Sequence, residues 1–449
     1  SDVLRLAIPT RSVRAEQAWL PGTPRVELAA LSSPPPLQGY RDGDATGIVE
    51  RGERVVLEAV PTVVTLPSNV ASPDTPGATV GAWALTIAQL AAAAVAGGRS
   101  AILLAPDHRD LEQLEAAVRS MVPPERVVRV DGAQSTPARY RDFLRARFLD
   151  GMVSIGTRSA VYAPAARLGL IAIWDDGDPL HREPHAPGAH PRDVALVRQK
   201  LQGGALVLAC HAISTDAQRL VEIGWCRRVS PARGSAPRII RTALASGAGA
   251  DDHARIPSAA WRGVRDALQH GPVLVQVGRP GYSPQLVCAT CSTPAHCPTC
   301  SGPLGIARRG SAPSCRWCAA IAGGWRCSEC EGTTMRAGVA GSERTADELG
   351  RAFPKTRIIV ADGERTVLTV DAVPALVIAT RGAEPIATGG YRAVLLLDGD
   401  RMLAREGLRV AEDCVRWWSN AIALGAPDAT SWLVGVGGRI AAGIAGWQQ

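Results

Sequence analysis

The chain has 449 residues, of which 46% are hydrophobic and 20% charged, and it carries a formal charge of +7. That length accommodates two or three domains, and no apolar run is long enough to span a bilayer, which argues against a membrane partner. The basic excess suits a nucleic-acid partner and is carried by arginine, since Lys200 and Lys355 are the two lysines among 49 Lys and Arg. Arginine binds phosphate as a planar fork and does not replace the compact ammonium of a nucleotide site.

The opening residue is Ser1 and no hydrophobic signal core follows. The compartment is therefore read as cytoplasmic, with a fragment of a longer protein as an open alternative to a complete chain. Residues 1–60 are loop-rich, with Pro34-Pro35-Pro36, and read as an N-terminal remnant or linker. Residues 61–235 alternate apolar runs with helical stretches: Ser100–Pro106, Gly151–Thr157, Leu168–Asp176 and Gly204–Cys210. The alanine-rich stretch Leu85–Ala96 reads as a buried helix. Short continuous apolar runs between helices predict a parallel sheet covered on both faces. Ser230–Gly249 loosens into Pro, Arg, Gly and Ser, a linker signal. A second α/β series follows with Pro272–Gly278, Arg357–Asp362, Ala375–Thr380, Ala393–Asp400 and Ser431–Gly437. The expected division is therefore lobe 1 at 61–235, the start of lobe 2 at 236–287, an inserted module at 288–330, and the rest of lobe 2 at 331–449.

The insertion carries four Cys-x-x-Cys pairs: Cys288/Cys291, Cys297/Cys300, Cys315/Cys318 and Cys327/Cys330. Each pair can turn two thiolates toward one metal, so eight cysteines predict two Cys₄ zinc sites. The gap of 14 residues between Cys300 and Cys315 suits a ribbon loop, whereas the gap of 5 between Cys291 and Cys297 is short for chain reversal. A nested arrangement follows, with Cys297, Cys300, Cys315 and Cys318 on the inner ion and Cys288, Cys291, Cys327 and Cys330 on the outer. A disulfide framework would need an oxidising compartment. His296 is the alternative ligand.

This layout resembles the PriA family of bacterial replication-restart helicases. Arg279-Pro280-Gly281-Tyr282-Ser283-Pro284 is similar to the family's R-x-G-Y-x-P entry to its zinc module, and the four cysteine pairs follow in family order. Gly156-Thr157-Arg158-Ser159-Ala160 resembles the GTRSA helicase motif, and His190, Arg192 and Asp193 supply H-x-R-D. The resemblance implies two RecA-like lobes, a two-zinc ribbon in the second, and DNA contact, for which Arg158, Arg308 and Arg309 are the candidates. The implied partners are forked or single-stranded DNA, primosome proteins and single-stranded-DNA-binding protein.

The motor motifs depart from the family pattern. A phosphate loop G-x-x-x-x-G-K-[ST] falls on Gly77 to Ala84, where Gly77 remains but Ala82, Trp83 and Ala84 replace the second glycine, the lysine and the hydroxyl residue. The acidic D-E-x-H reads Trp174-Asp175-Asp176-Gly177, with Asp175 or Asp176 as possible replacements for the magnesium carboxylate. Q-x-x-G-R-x-G-R falls on Asn420 to Pro427, which contains no arginine. The sequence thus resembles a motor-degenerate family member of the actinobacterial kind. No catalytic residue is expected, and Gly77 is at most a vestige of a cofactor loop. Trp83 is expected to fill the phosphate pocket and the lobes to meet through apolar contact. The alternatives are an active ATP-dependent 3′–5′ DNA helicase and a zinc-ribbon protein-interaction scaffold.

Among the remaining residues, His181, His185 and His190 read as a solvated loop. Cys210, Cys226 and Cys414 read as core thiols. Trp417-Trp418 reads as one core and one interface indole, with base stacking as the other possibility. Arg316 joins Arg308 and Arg309 as a possible phosphate contact.

Overall fold

The computed structural model describes residues 8–19, 28–41, 45, 47–67, 77–130, 134–184, 186, 188–242, 256–278, 286–291, 293–306, 312–315, 317–337, 353, 356–405 and 407–447. Two α/β lobes dominate it. Lobe 1 contains β1 (Arg54–Glu58), β2 (Val63–Thr65), β3 (Thr79–Gly81), β4 (Ser100–Leu104), β5 (Val127–Val130), β6 (Val153–Gly156), β7 (Leu168–Trp174), β8 (Ala205–Cys210) and β9 (Arg227–Val229). Seven of these make one sheet in the order β5-β6-β4-β7-β8-β1-β9, every pair parallel. The period of two along each strand feeds two cores. On β4, Ala101 and Leu103 face the core shared with the helix Ala82–Ala96, while Ile102 and Leu104 face that of the helix Pro191–Gln202. The helix Ala82–Ala96 is buried nearly all round, as a run of good helix formers without a charged face must be.

Lobe 2 begins with β10 (Arg238–Thr242) and β11 (Val273–Val277), gives way to the cysteine module with β12 (Leu286–Cys288), β13 (Leu304–Gly305), β14 (Ser314–Cys315) and β15 (Met335–Ala337), and resumes with β16 (Arg357–Ala361). After β17 (Thr369–Val370) come β18 (Ala375–Thr380), β19 (Ile386–Ala387), β20 (Tyr391–Leu396) and β21 (Gly425–Val434). The main sheet, β10-β21-β20-β11-β18-β16, is also parallel throughout. Helices Val410–Ile422 and Gly438–Ala445 cover one face and Ser258–Ala267 the other.

Each of the nine apolar runs singled out in the sequence carries a strand. Two expectations shift. β1 lies between β8 and β9, so lobe 1 starts before residue 61. Within the expected linker 230–249, Arg238–Thr242 is an edge strand of lobe 2, because its Ile239 and Ile240 pack on opposite faces of that sheet. Among the described residues no helix is long and apolar enough to cross a membrane.

Candidate functional site

The cysteine module is built from one repeated turn. In three of the pairs the residue after the second cysteine, Ser301, Ala319 or Glu331, has φ near +58° to +59°. Its N–H donates to the carbonyl of the first cysteine, at 2.9 Å for Ser301 to Cys297 and 3.0 Å for both Ala319 to Cys315 and Glu331 to Cys327. A left-handed residue closes the knuckle and turns both sulfurs the same way. Further amides point at sulfur: Thr299 to Cys297 (3.4 Å), Trp317 to Cys315 (3.3 Å) and Glu329 to Cys327 (3.5 Å). Such bonds favour the thiolate.

Cys288, Cys291, Cys327 and Cys330 form one group and Cys297, Cys300, Cys315 and Cys318 the other, with all Sγ atoms of a group within 4.8 Å of one another. This is the nested grouping. Recorded Sγ···Sγ distances are 3.4–3.8 Å, and all eleven cysteines are unbonded, which sets the disulfide alternative aside. A metal–sulfur length of about 2.3 Å gives a tetrahedral edge of ~3.8 Å, so each group can hold a metal ion. Cys297 is lowered to about 6, first by the Thr299 amide, and Cys291 to about 6, first by the Thr293 hydroxyl. A Cβ at Gly302 would sit 2.9 Å from the Cys315 sulfur, so glycine there leaves the ligand its space. His296 belongs to neither group among the described residues, and its Nδ1 lies 2.9 Å from the Ser301 carbonyl oxygen.

In the cleft, Trp83 and Trp174 stack face to face, with ring centroids 4.1 Å apart and planes within 6°. They are 4% and 2% exposed. These are the residues that the resemblance sets at the phosphate-loop lysine and the magnesium carboxylate. His211 packs edge-on against Trp174 at 5.1 Å, and Trp447 of lobe 2 reaches His211 at 6.5 Å. Burial lowers His211 to about 4, so the ring is neutral in this aromatic column. The backbone ahead of Trp83 is a strand rather than an open loop: β3 pairs antiparallel with β2. The Gly81 N–H donates to Gln113 Oε1 (3.0 Å) and the Ala82 N–H to the Thr62 carbonyl (2.9 Å). Both amides at this helix start thus have protein partners. Gly77 has a packing reason to be glycine, because a Cβ there would lie 1.8 Å from the Leu66 carbonyl oxygen.

Beside the indoles lies a buried charged joint that the sequence did not disclose. Arg416 of lobe 2 donates through Nη1 to Asp175 (2.9 Å) and Asp178 (2.6 Å), and Asn420 donates to Asp175 (2.8 Å). The Arg416 and Asp175 side chains are 4% and 3% exposed. Burial alone would pull the Arg416 pKa down, but Asp175 and Asp178 overcome it and raise it. Asp110 is pushed well above the ordinary carboxylate range, first by burial and then by Asp107, Asp175 and Asp178. Asp176 accepts from Arg192 (2.8 Å) and Ser214 (2.9 Å). Further out, Arg409 pairs with Asp216 (2.6 Å), and the Thr215 amide donates to Glu412 (3.1 Å).

The expected apolar meeting of the lobes is thus corrected. Aromatic contact is present at the His211–Trp447 edge, while the joint around Arg416 is ionic. No arginine lies in the 420–427 stretch, but Arg416, one turn earlier, faces the cleft in its place. Asp175 and Asp176 are each committed to an arginine, and neither belongs to a metal-competent group among the described residues.

Of the DNA candidates, Arg158 pairs with Glu183 at 2.9 Å, while Arg308, Arg309, Arg316, His185 and the 279–284 segment lie outside the described residues. His181 is fully buried rather than solvated, with Nε2 2.9 Å from the Trp174 carbonyl. His190 caps a helix by accepting from the Arg192 amide. Trp418 is fully buried, and Trp417 lies under the Arg381 guanidinium at 3.8 Å. Cys210, Cys226 and Cys414 are buried, and burial raises each thiol.

No family model matches the chain. A Mycobacterium tuberculosis protein named "Probable replication restart protein PriA" is 39% identical over 453 residues, covering 97% of this chain and 66% of the relative. The Mycobacterium leprae protein of that name is 39% identical over 438 residues, covering 94% and 64%.

The chain belongs to the PriA family.

It spans about two thirds of the length of these curated PriA relatives. More distant is the Treponema pallidum replication restart protein PriA, 26% identical over 287 residues, 61% of this chain and 41% of that one. Among solved structures, Saccharomyces cerevisiae Dbp5 bound to RNA and ADP BeF3 superposes with a TM-score of 0.44 at 8% identity, covering 89% of this chain and 87% of Dbp5. RecG bound to a three-way DNA junction also gives 0.44, at 10% identity, covering 90% of this chain and 44% of RecG. The chain itself has two parallel-sheet α/β lobes, with a module of two four-cysteine groups inserted in the second.

Proposed function

We propose that this chain serves replication restart as a DNA-binding scaffold without an ATP-driven motor. In this reading it binds forked or single-stranded DNA and recruits the loader of the replicative helicase, with primosome proteins and single-stranded-DNA-binding protein as its protein partners. The observation that carries the proposal is the Trp83–Trp174 stack. Phosphoryl transfer needs a lysine on the phosphates, a hydroxyl and a carboxylate on magnesium, and arginine on the developing charge. Here two indoles fill the space for the first two, and the crossing arginine is spent on Asp175 and Asp178. The Cys₄ groups would each hold Zn²⁺, the metal that four thiolates at tetrahedral spacing select in structural sites. Zinc would supply folding energy to the module rather than chemistry.

Titrating the chain onto a labelled fork at several salt concentrations tests the DNA half. Binding that weakens linearly in log–log form supports it, because neutralised phosphates release counterions. Salt-independent association, or none, would favour a protein-only scaffold. The active-helicase reading has the family name behind it, and strand separation fuelled by ATP would establish it.

A further inference from the structure

The edge of the lobe 1 sheet opposite the cleft carries a row of cations that the proposed function leaves unused. Arg99 precedes β4, Arg167 precedes β7, and Arg54 opens β1, so all three stand at strand N-termini. Lys200, near the end of the helix Pro191–Gln202, stands between them. These residues line two shallow hollows. One, of ≈ 510 Å³, is bounded by Arg54, Lys200 and Trp225 together with Gly52, Gln199 and Gly203. The other, of ≈ 380 Å³, is bounded by Arg99, Arg167 and Gln202 with apolar neighbours. No carboxylate lines either hollow. Among the described residues none of the four cations enters an ion pair, whereas the nearby Arg227 is paired with Glu53 and Arg228 with Glu58. The Arg54 guanidinium lies 4.3 Å over the Trp225 ring, which fixes its plane and leaves its N–H edge to donate.

We propose that this row is a second phosphate-backbone contact, used by duplex DNA on the face of lobe 1 remote from the cleft. The spacing distinguishes a polyanion from a single small anion. In the sheet order β4-β7-β8-β1, neighbouring strands lie about 4.8 Å apart, so the row from Arg99 to Arg54 extends roughly 14 Å. That length meets consecutive phosphates on one strand, while one isolated phosphate would touch a single hollow. The seven residues of β7 hold the row on the order of 20 Å from Asp175. DNA could therefore engage it without opening the joint between the lobes. Contacts of these cations to phosphate oxygens position DNA and carry no sequence information.

The proposal rests on the chain binding DNA at all, and the experiment separates the two. Anisotropy titrations of a labelled duplex would compare the full chain with Arg99→Gln/Arg167→Gln/Lys200→Gln, and with Arg167→Glu/Lys200→Glu as an independent second variant. Arg54 stays because it packs on Trp225, and thermal melts verify that each variant is folded. The salt slope should fall by about 0.9 for each phosphate contact removed, roughly 2–3 for the triple variant. An unchanged slope in folded variants would overturn the row while leaving DNA binding intact. Absence of salt-dependent binding by the native chain would overturn both. If the variants kept duplex binding but lost binding to a poly-glutamate peptide, the face would belong to an acidic protein and the proposal would fall.

Discussion

The cysteine module and the cleft between the lobes place their functional groups by opposite means. Each cysteine pair spans four consecutive residues, and in three of the four one turn, closed by a left-handed residue, aims both sulfurs. The cleft joins groups far apart in the chain: Arg416 and Asp175 are separated by 241 positions. Local order lets a ligand set be preserved as a spacing. Long-range order lets one charged site be exchanged for another by a few substitutions, provided the cavity stays filled and the charges stay paired. In the module, the eight cysteines fall into two groups of four that could each hold a metal ion. In the cleft stand indoles and an arginine–carboxylate joint.

The largest expected effect would strip the module of its support. Zinc binding in such sites is worth on the order of 10–16 kcal/mol, so chelation, or Cys300→Ser, should unfold the module and free its tryptophans. Lobe 1 and lobe 2 have separate cores and should keep a cooperative melt. Near-ultraviolet circular dichroism beside calorimetry reads both, and metal analysis should return two ions per chain. Loss of every cooperative transition would show that the module is not separable.

Next in size is the joint. Arg416→Met leaves Asp175 and Asp178 buried without their cation, which costs about 3–5 kcal/mol. Adding Asp175→Asn and Asp178→Asn should recover most of that loss, because the penalty belongs to the uncompensated charges. Denaturant midpoints measure it, and a loss under about 0.5 kcal/mol, the scale of an exposed pair, would mean the joint is solvated.

Trp83→Lys sharpens the comparison from the other side. It removes a buried indole, worth roughly 2–3 kcal/mol, and sets a cation beside Trp174. The variant should melt earlier and hydrolyse no ATP, because groups that act as a unit are not restored singly. Hydrolysis gained from this one change would show the remaining machinery to be intact.

The smallest effect is pH-dependent. Asp110 has a folded pKa above its unfolded value, so its contribution is most favourable below the unfolded pKa and is lost as pH rises through the folded one. Asp110→Asn should therefore stabilise the chain at neutral pH and make no difference near pH 3. Equal melting shifts at both pH values would remove Asp110 from the acidic cluster.

Much of this architecture was legible in sequence because strands buried on both faces read as continuous apolar runs, as in Ala375–Thr380. Val127–Val130 was harder to see, since Arg129 interrupts it and pairs with Glu112 and Glu115. β1 was hidden by order: it precedes the rest of the lobe in sequence but is inserted between β8 and β9. Trp83 and Trp174 were visible as substitutions, though nothing in one dimension says that they stack. Arg416 had no motif to announce it. The available clue was the acidic run Asp175, Asp176 and Asp178, whose burial at a strand end demands cations from elsewhere.

Steady-state ATP hydrolysis, measured on the full chain with and without forked DNA, tests the central claim most directly. The account predicts no turnover above the buffer blank in either condition, alongside salt-dependent binding to the same fork. DNA-stimulated hydrolysis that co-purifies with the chain and disappears when Asp175 and Asp176 are replaced by asparagine would contradict it.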